Sequence, residues 1–248
     1  MTPPLPDVLG LPRPRLAELL APLVDRPFRI DQIYGALYAR QVLDFEEMTD
    51  LSKELRSQLR ESFRIGLPEI AERHLSTDGT CKYLFRLWDG ATIEAVDIPD
   101  GDRRTLCLSS QAGCALACAF CVTGYWGAGR NLTAGEIVAQ VLAIQKDRAV
   151  ESGSLNLVFM GMGEPFLNYD AVRDAIEVLS GWISLRRITV STAGVIPGID
   201  AMAAWPRRPN LAVSLHAPDE ERRSRVMPIN RSRPPQTPQR SRGTQIGV

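Results

Sequence analysis

The chain has 248 residues, with 29 Lys and Arg against 29 Asp and Glu and a hydrophobic share of 44%. That suffices for the core of one large domain or two smaller ones and excludes wholesale disorder. The formal net charge is zero, so the chain is no general polyanion binder, and contacts with RNA or DNA must come from local basic patches.

The N-terminus, Met1-Thr-Pro-Pro-Leu-Pro, has neither the basic leader nor the apolar run of a secretory signal. The longest nearly uncharged stretch, Ser152 to Gly163, is far shorter than the roughly 20 apolar residues of a membrane helix. A cytoplasmic protein with no membrane span is therefore expected. From Leu5 to about Leu67 the period is helical: Ile30, Ile33, Tyr34, Leu37 and Tyr38 recur at three and four residues, and Met48 to Leu59 repeats the signal with Leu51, Leu55 and Leu59. A small helical domain over residues 1–77 is predicted, its apolar stripes turned to the core and Arg26, Arg29 and Arg40 solvated.

The period then changes. Lys82-Tyr-Leu-Phe-Arg-Leu and Thr92-Ile-Glu-Ala-Val-Asp-Ile flank Trp88-Asp-Gly-Ala, and Asp-Gly between alternating runs is a hairpin signal. From Arg104 onward strands and helices alternate: Thr105–Ser109, Ala134–Lys146, Leu155–Met160, Tyr169–Leu179, Ile188–Ser191, Ile199–Trp205 and Leu211–Leu215. Such alternation implies parallel βαβ units, which fit either an open doubly wound sheet or a β/α barrel. The hairpin and this α/β core occupy residues 78–230. Residues 231–248, with four Arg, three Pro, three Gln and no acidic residue, are expected to be disordered, and so abrupt a change points to a truncated or frame-shifted end.

Five cysteines are present, and Cys114, Cys118 and Cys121 fall within eight residues, directly after the first strand of the βαβ series. In a reducing compartment such crowding indicates metal or redox chemistry rather than disulfides. A zinc loop is one reading, though His74 and His216, the two histidines, are remote in sequence. The other is a [4Fe-4S] cluster held by three thiolates, with its fourth iron open to substrate.

The run Cys114-Ala-Leu-Ala-Cys118-Ala-Phe-Cys121 resembles the radical SAM superfamily, whose open iron binds S-adenosylmethionine (SAM). Further motifs narrow the resemblance: Phe28-Arg-Ile-Asp-Gln-Ile-Tyr, Phe45-Glu-Glu-Met-Thr-Asp-Leu-Ser-Lys, Asp78-Gly-Thr-Cys-Lys-Tyr-Leu-Phe, Arg104-Thr-Leu-Cys-Leu-Ser-Ser-Gln-Ala-Gly-Cys, Met160-Gly-Met-Gly-Glu-Pro, Ser214-Leu-His-Ala-Pro and Met227-Pro-Ile-Asn. From about Pro12 to Asn230 the chain resembles the radical SAM dual-specificity RNA methyltransferases, which methylate adenine carbon 2; relatives acting at carbon 8 are the near alternative.

The resemblance implies a partial β/α barrel of the radical SAM type, preceded by a helical RNA-binding accessory domain and the β-hairpin. It implies cluster ligation by Cys114, Cys118 and Cys121, and SAM binding by Gly163, Glu164, Ser191, Ser214, Leu215 and His216. One SAM methylates an enzyme cysteine; a second yields a radical that takes hydrogen from that methyl group, and the carbon radical attacks the adenine. Glu94 matches the proton acceptor and Cys107 the resolving cysteine, which forms a disulfide with the methyl-carrying one. The implied partners are 23S rRNA, tRNA and an electron donor such as flavodoxin, with the chain a monomer. The arginine pairs at 103–104, 186–187, 207–208 and 222–223 are candidate phosphate contacts, and Cys81 is expected to pack as a small apolar residue. The methyl-carrying cysteine of the family lies late in the chain, as does an asparagine that touches SAM. No cysteine follows Cys121 here, so this chain is expected not to complete turnover and, as the alternative, to be a non-catalytic cluster- or RNA-binding fragment.

Overall fold

The computed structural model describes residues 4–24, 26–150 and 152–232. Three helices open the chain: α1 (Arg13–Leu20), α2 (Pro27–Tyr38) and α3 (Lys53–Ser62). Pro27 starts α2 at the first turn, where its missing N–H costs nothing. The Ser52 hydroxyl accepts from the Leu55 amide to cap α3. The helix expected from Met48 begins five residues later, because Asp44 caps a short 3-10 turn at Phe45–Glu47 and the chain must then reach Ser52.

A seven-stranded sheet follows, made of β1 (Glu69–Leu75), β2 (Cys81–Arg86), β3 (Thr92–Asp100), β4 (Arg103–Cys107), β7 (Leu155–Phe159), β8 (Ile188–Thr192) and β9 (Asn210–Val213) in that spatial order. A separate ribbon pairs β5 (Gln111–Ala112) with β6 (Arg130–Asn131). The expected hairpin is β2–β3, and the structure extends it into a four-stranded antiparallel meander, β1 to β4. Strand β1 leaves little trace in the sequence because it is an edge strand exposed on both faces, so it carries no apolar alternation.

From β4 onward the pairing is parallel. The crossovers are α5 (Ala134–Arg148), α6 (Tyr169–Leu179) and α7 (Ile196–Ala203). Helix α7 starts three residues earlier than the period suggests, because Pro197 occupies its first turn. A Thr133–Glu136 capping box starts α5. Leu106, Leu157, Phe159, Ile188 and Val190 face the helices and are buried, whereas Cys107, Val158, Met160, Thr189 and Ser191 look to the other, more open face. One covered and one open face is the partial-barrel solution, not the doubly wound one.

The N-terminal helices dock on the outside of α5 and α6. Tyr38 stacks on Trp182 with centroids 5.3 Å apart, and Arg15 pairs with Asp174. A Cβ at Gly10, whose φ is +72°, would lie 2.1 Å from the Gly135 amide nitrogen at the start of α5, so two backbones touch where only glycine fits. Two short helices end the described chain, α8 (Glu220–Val226) and α9 (Ile229–Ser232), with α4 (Val122–Tyr125) in the cysteine loop. Arg231 and Ser232, expected in a disordered tail, belong to α9; the rest of that expectation lies outside the described residues. No described helix is long and apolar enough to cross a membrane.

Candidate functional site

Parallel strands deliver their following loops to one end of a sheet, and here four of them converge. Beyond β4 the chain continues through Ser109, Ser110 and Gln111. The side chain of Gln140, fully buried on α5, accepts from the Ser109 amide at 2.9 Å and donates to its carbonyl at 3.0 Å. Ser109 Oγ donates to the Glu94 carbonyl at 2.5 Å and accepts from the Met162 amide at 2.8 Å. Gln111 Oε1 accepts from the Glu164 amide at 2.8 Å. The loop after β7 is thereby fixed at two points, Met162 and Glu164. Gly163, with φ +98°, packs so closely that a Cβ would lie 2.6 Å from Gln111 Cβ.

Glu164 is almost fully buried, and burial pushes its carboxyl above the ordinary range. Its two oxygens accept from the Phe166 amide at 3.1 Å and the Ala193 amide at 2.7 Å, the latter in the turn after β8.

The cysteine loop lies opposite. Ala119 donates its amide to the Val226 carbonyl at 2.9 Å, and the Tyr125 hydroxyl donates to the Ala119 carbonyl at 3.1 Å. Cys114, Cys118 and Cys121 line a cleft of about 380 Å³ together with Gly163, Glu164, Ser191, Ser214 and His216. Phe120 lies against His216, ring centroids 4.1 Å apart. Burial raises the Cys114 and Cys118 thiols; the neighbouring cysteines and Glu164 add to this, while the Arg223 charge opposes it at Cys118.

Three thiols on one wall, with a buried carboxylate and two hydroxyls facing them, form a soft donor set beside a polar pocket, which fits an iron–sulfur cluster with a charged organic ligand next to it. A single four-coordinate zinc would need its thiolates about 3.8 Å apart, as set by Zn–S bonds of about 2.3 Å. Among the described residues, no three His, Cys, Asp or Glu side chains are grouped to hold one metal ion.

The remaining expected residues divide. Cys107 ends β4 on the open face, opposite Val96 and beside Val158; it accepts from the Met160 amide, and burial raises its thiol. Glu94 shares that face two residues from Val96 and pairs with Lys82 at 2.9 Å. Both stand next to the cleft without lining it. Leu215, expected at the SAM site, does not line the cleft and is 64% exposed, because the chain turns at His216, whose φ is +54°. Three of the four arginine pairs lie away from the cleft. Arg186, Arg187, Arg207 and Arg208 precede β8 and β9, at the opposite ends of those strands, and Arg103 and Arg104 are the first residues of β4. Arg104 pairs with Asp97, and Arg223 is buried. Gln140 escaped the sequence reading, and Arg223 entered it only as a candidate phosphate contact, not as a buried residue. One sits in an apolar helix and the other in a charged run, and neither pattern signals a buried polar role.

Two family models match the chain: the ribosomal RNA large subunit methyltransferase N-terminal domain over residues 6–65, and the Radical SAM superfamily over residues 108–241, more than half of the length. A dual-specificity RNA methyltransferase RlmN from Halorhodospira halophila is 50% identical over 232 residues, covering 92% of this chain and 64% of that protein. A probable dual-specificity RNA methyltransferase RlmN from Gemmatimonas aurantiaca is 47% identical over 238 residues, 93% of this chain and 66% of that protein. The crystal structure of a radical SAM methyltransferase from Sphaerobacter thermophilus is similar with a TM-score of 0.85 at 43% identity, covering 93% of this chain and 69% of that one. The chain spans just under two thirds of the length of the two curated relatives.

Proposed function

The chain belongs to the radical SAM superfamily, in the RlmN-like RNA methyltransferase family, and from that premise we propose that its cleft serves methylation of adenine carbon 2 in 23S rRNA and tRNA. The superfamily's cofactors are a [4Fe-4S] cluster and SAM. In this reading Cys114, Cys118 and Cys121 hold the cluster, and Gly163, Glu164, Ser191, Ser214 and His216 hold SAM. The observation that carries it is the convergence of these eight residues on one cleft. When bound, the cluster supplies the electron that cleaves SAM, chemistry no side chain provides.

The chain's own groups position and protect. Glu164, pinned by two amides, offers a buried carboxylate to the SAM ammonium, which gives it a counter-charge. Ser191 and Ser214 present hydroxyls to ribose or carboxylate, and Phe120 and His216 wall the cleft. Glu94 takes the proton from the adenine carbon, with Lys82 keeping its carboxylate on the open face. Cys107 would be the resolving thiol: its sulfur bonds to that of the methyl-carrying cysteine as the bond from that cysteine's sulfur to the carbon on adenine breaks, and the carbon takes up a proton to become the product methyl group. The 248 residues hold no cysteine after Cys121, so the methyl-carrying thiol is not among them. A cytoplasmic location, a flavodoxin-type electron donor and a monomeric state belong to the same proposal.

Anaerobic reconstitution with iron and sulfide tests the cofactor assignment. About four irons per chain and a broad visible absorbance are expected. A colourless chain that takes up one zinc instead overturns it.

A further inference from the structure

Arg223 lies on α8 and is 5% exposed. Among the described residues no carboxylate forms an ion pair with it, and its Nε finds no partner. A buried cation is costly unless its donors are used, and the acceptors Arg223 does use are informative. Its Nη2 donates to the Ala193 carbonyl at 2.5 Å and to the Ser214 carbonyl at 3.1 Å; its Nη1 donates to Asn230 Oδ1. Ala193 and Ser214 belong to the turns after β8 and β9, and both line the cleft. Asn230 is braced in turn by Ser224 Oγ at 2.7 Å.

Ala193 is therefore gripped from two sides, its amide by Glu164 and its carbonyl by Arg223. One turn further along α8, the Val226 carbonyl accepts from Ala119 in the cysteine loop, and the next residue, Met227, lines the cleft. A single short helix thus holds both walls, the cysteine loop at its end and the strand-end turns through one guanidinium.

We propose that Arg223 is a positioning residue for this cleft, its guanidinium setting the two turns from which Ser214, His216 and the Ala193 clasp on Glu164 reach SAM. The inference rests on the reading of the cleft as a SAM site. Lysine keeps the charge but is a point donor that cannot span three acceptors in fixed geometry. The role therefore predicts loss of SAM affinity without loss of fold or cluster.

The test uses the whole chain with Arg223→Lys and Asn230→Ala, and reads three quantities: the unfolding midpoint of the cofactor-free chain, iron per chain after reconstitution, and SAM affinity by equilibrium dialysis. Arg223→Lys is expected to keep a cooperative transition and the parent's iron content while SAM affinity falls about tenfold to a hundredfold. Asn230→Ala, which frees one arm of the guanidinium, is expected to lose about threefold to tenfold. SAM affinity within twofold of the parent in a folded Arg223→Lys chain overturns the proposal. If that variant does not fold, unchanged affinity in Asn230→Ala does so. A parent chain that takes up no cluster or binds no SAM fails the functional reading instead, so the two failures are distinct.

Discussion

The N-terminal helical segment and the cysteine loop are opposite kinds of surface. In the first, Leu16, Leu20, Ile33, Leu37, Met48 and Leu59 are fully buried, and the charges are matched, as in Arg40–Asp50 at 2.9 Å and Arg64–Asp7 at 3.0 Å. In the second, Phe120 is 52%, Trp126 59% and Tyr125 76% exposed, and Ala117 adopts a left-handed φ of +48°. Folding completes the one and leaves the other with apolar side chains in the open and thiols on one wall. Apolar surface left uncovered beside convergent polar groups marks where a ligand belongs.

Four changes, one of them with a control, sharpen or break that contrast. The largest effect is expected for Cys118→Ala, which should abolish cluster uptake while the cofactor-free unfolding midpoint stays within about 2 °C of the parent; Cys81→Ala, a buried strand residue outside the cleft, should keep its iron. Equal iron loss in both would show that the loop is not the ligand set. Gly10→Ala should do the reverse. Its Cβ meets backbone at 2.1 Å at positive φ, so about 3 kcal/mol or more is expected to be lost, which lowers the midpoint by about 6–12 °C and leaves iron per folded chain unchanged.

Tyr38→Phe comes next. It preserves the stack on Trp182 but strips the Gly10 amide of its acceptor at 2.9 Å, a loss of about 1–3 kcal/mol readable by denaturant titration. The smallest effect concerns Asp89, whose carboxyl the Arg130 guanidinium holds below its ordinary value of 3.8. A folded-state pKa below the unfolded one favours the folded chain above that ordinary value, and the advantage disappears as pH falls through the lowered one. Asp89→Asn should therefore be less stable than the parent at pH 7, with the two converging in acid. A gap that persists at pH 2 would assign the effect to the Ala91 amide contact rather than to charge.

The sequence discloses what has a period or a spacing. Helix α6, Tyr169–Leu179, is legible to the residue because its apolar face repeats every three and four positions. The cysteines, Gly163 and Glu164, and the serines at strand ends are legible because their motifs sit where parallel strands stop. What stays hidden depends on a tertiary partner. Strand β1 is defined by its neighbour, Arg223 looks like its exposed neighbour Arg222 until the turns it holds are seen, and Leu215 leaves the cleft only because His216 turns the chain. The arginine pairs at 103–104, 186–187 and 207–208 lie away from the cleft for a related reason, since spacing along the chain does not say at which end of a strand a residue lies.

One consequence of the sheet concerns how it is made. Its spatial order, β1-β2-β3-β4-β7-β8-β9, is also the order of synthesis. No strand has to insert between two that are already paired, and each one emerging from the ribosome meets a completed neighbour. The antiparallel meander joins by short turns and supplies β4 as a template before the slower, long-range parallel pairings begin. Assembly can therefore proceed by addition at one growing edge, the exposed edge of each strand before β9 being covered by the next strand to arrive.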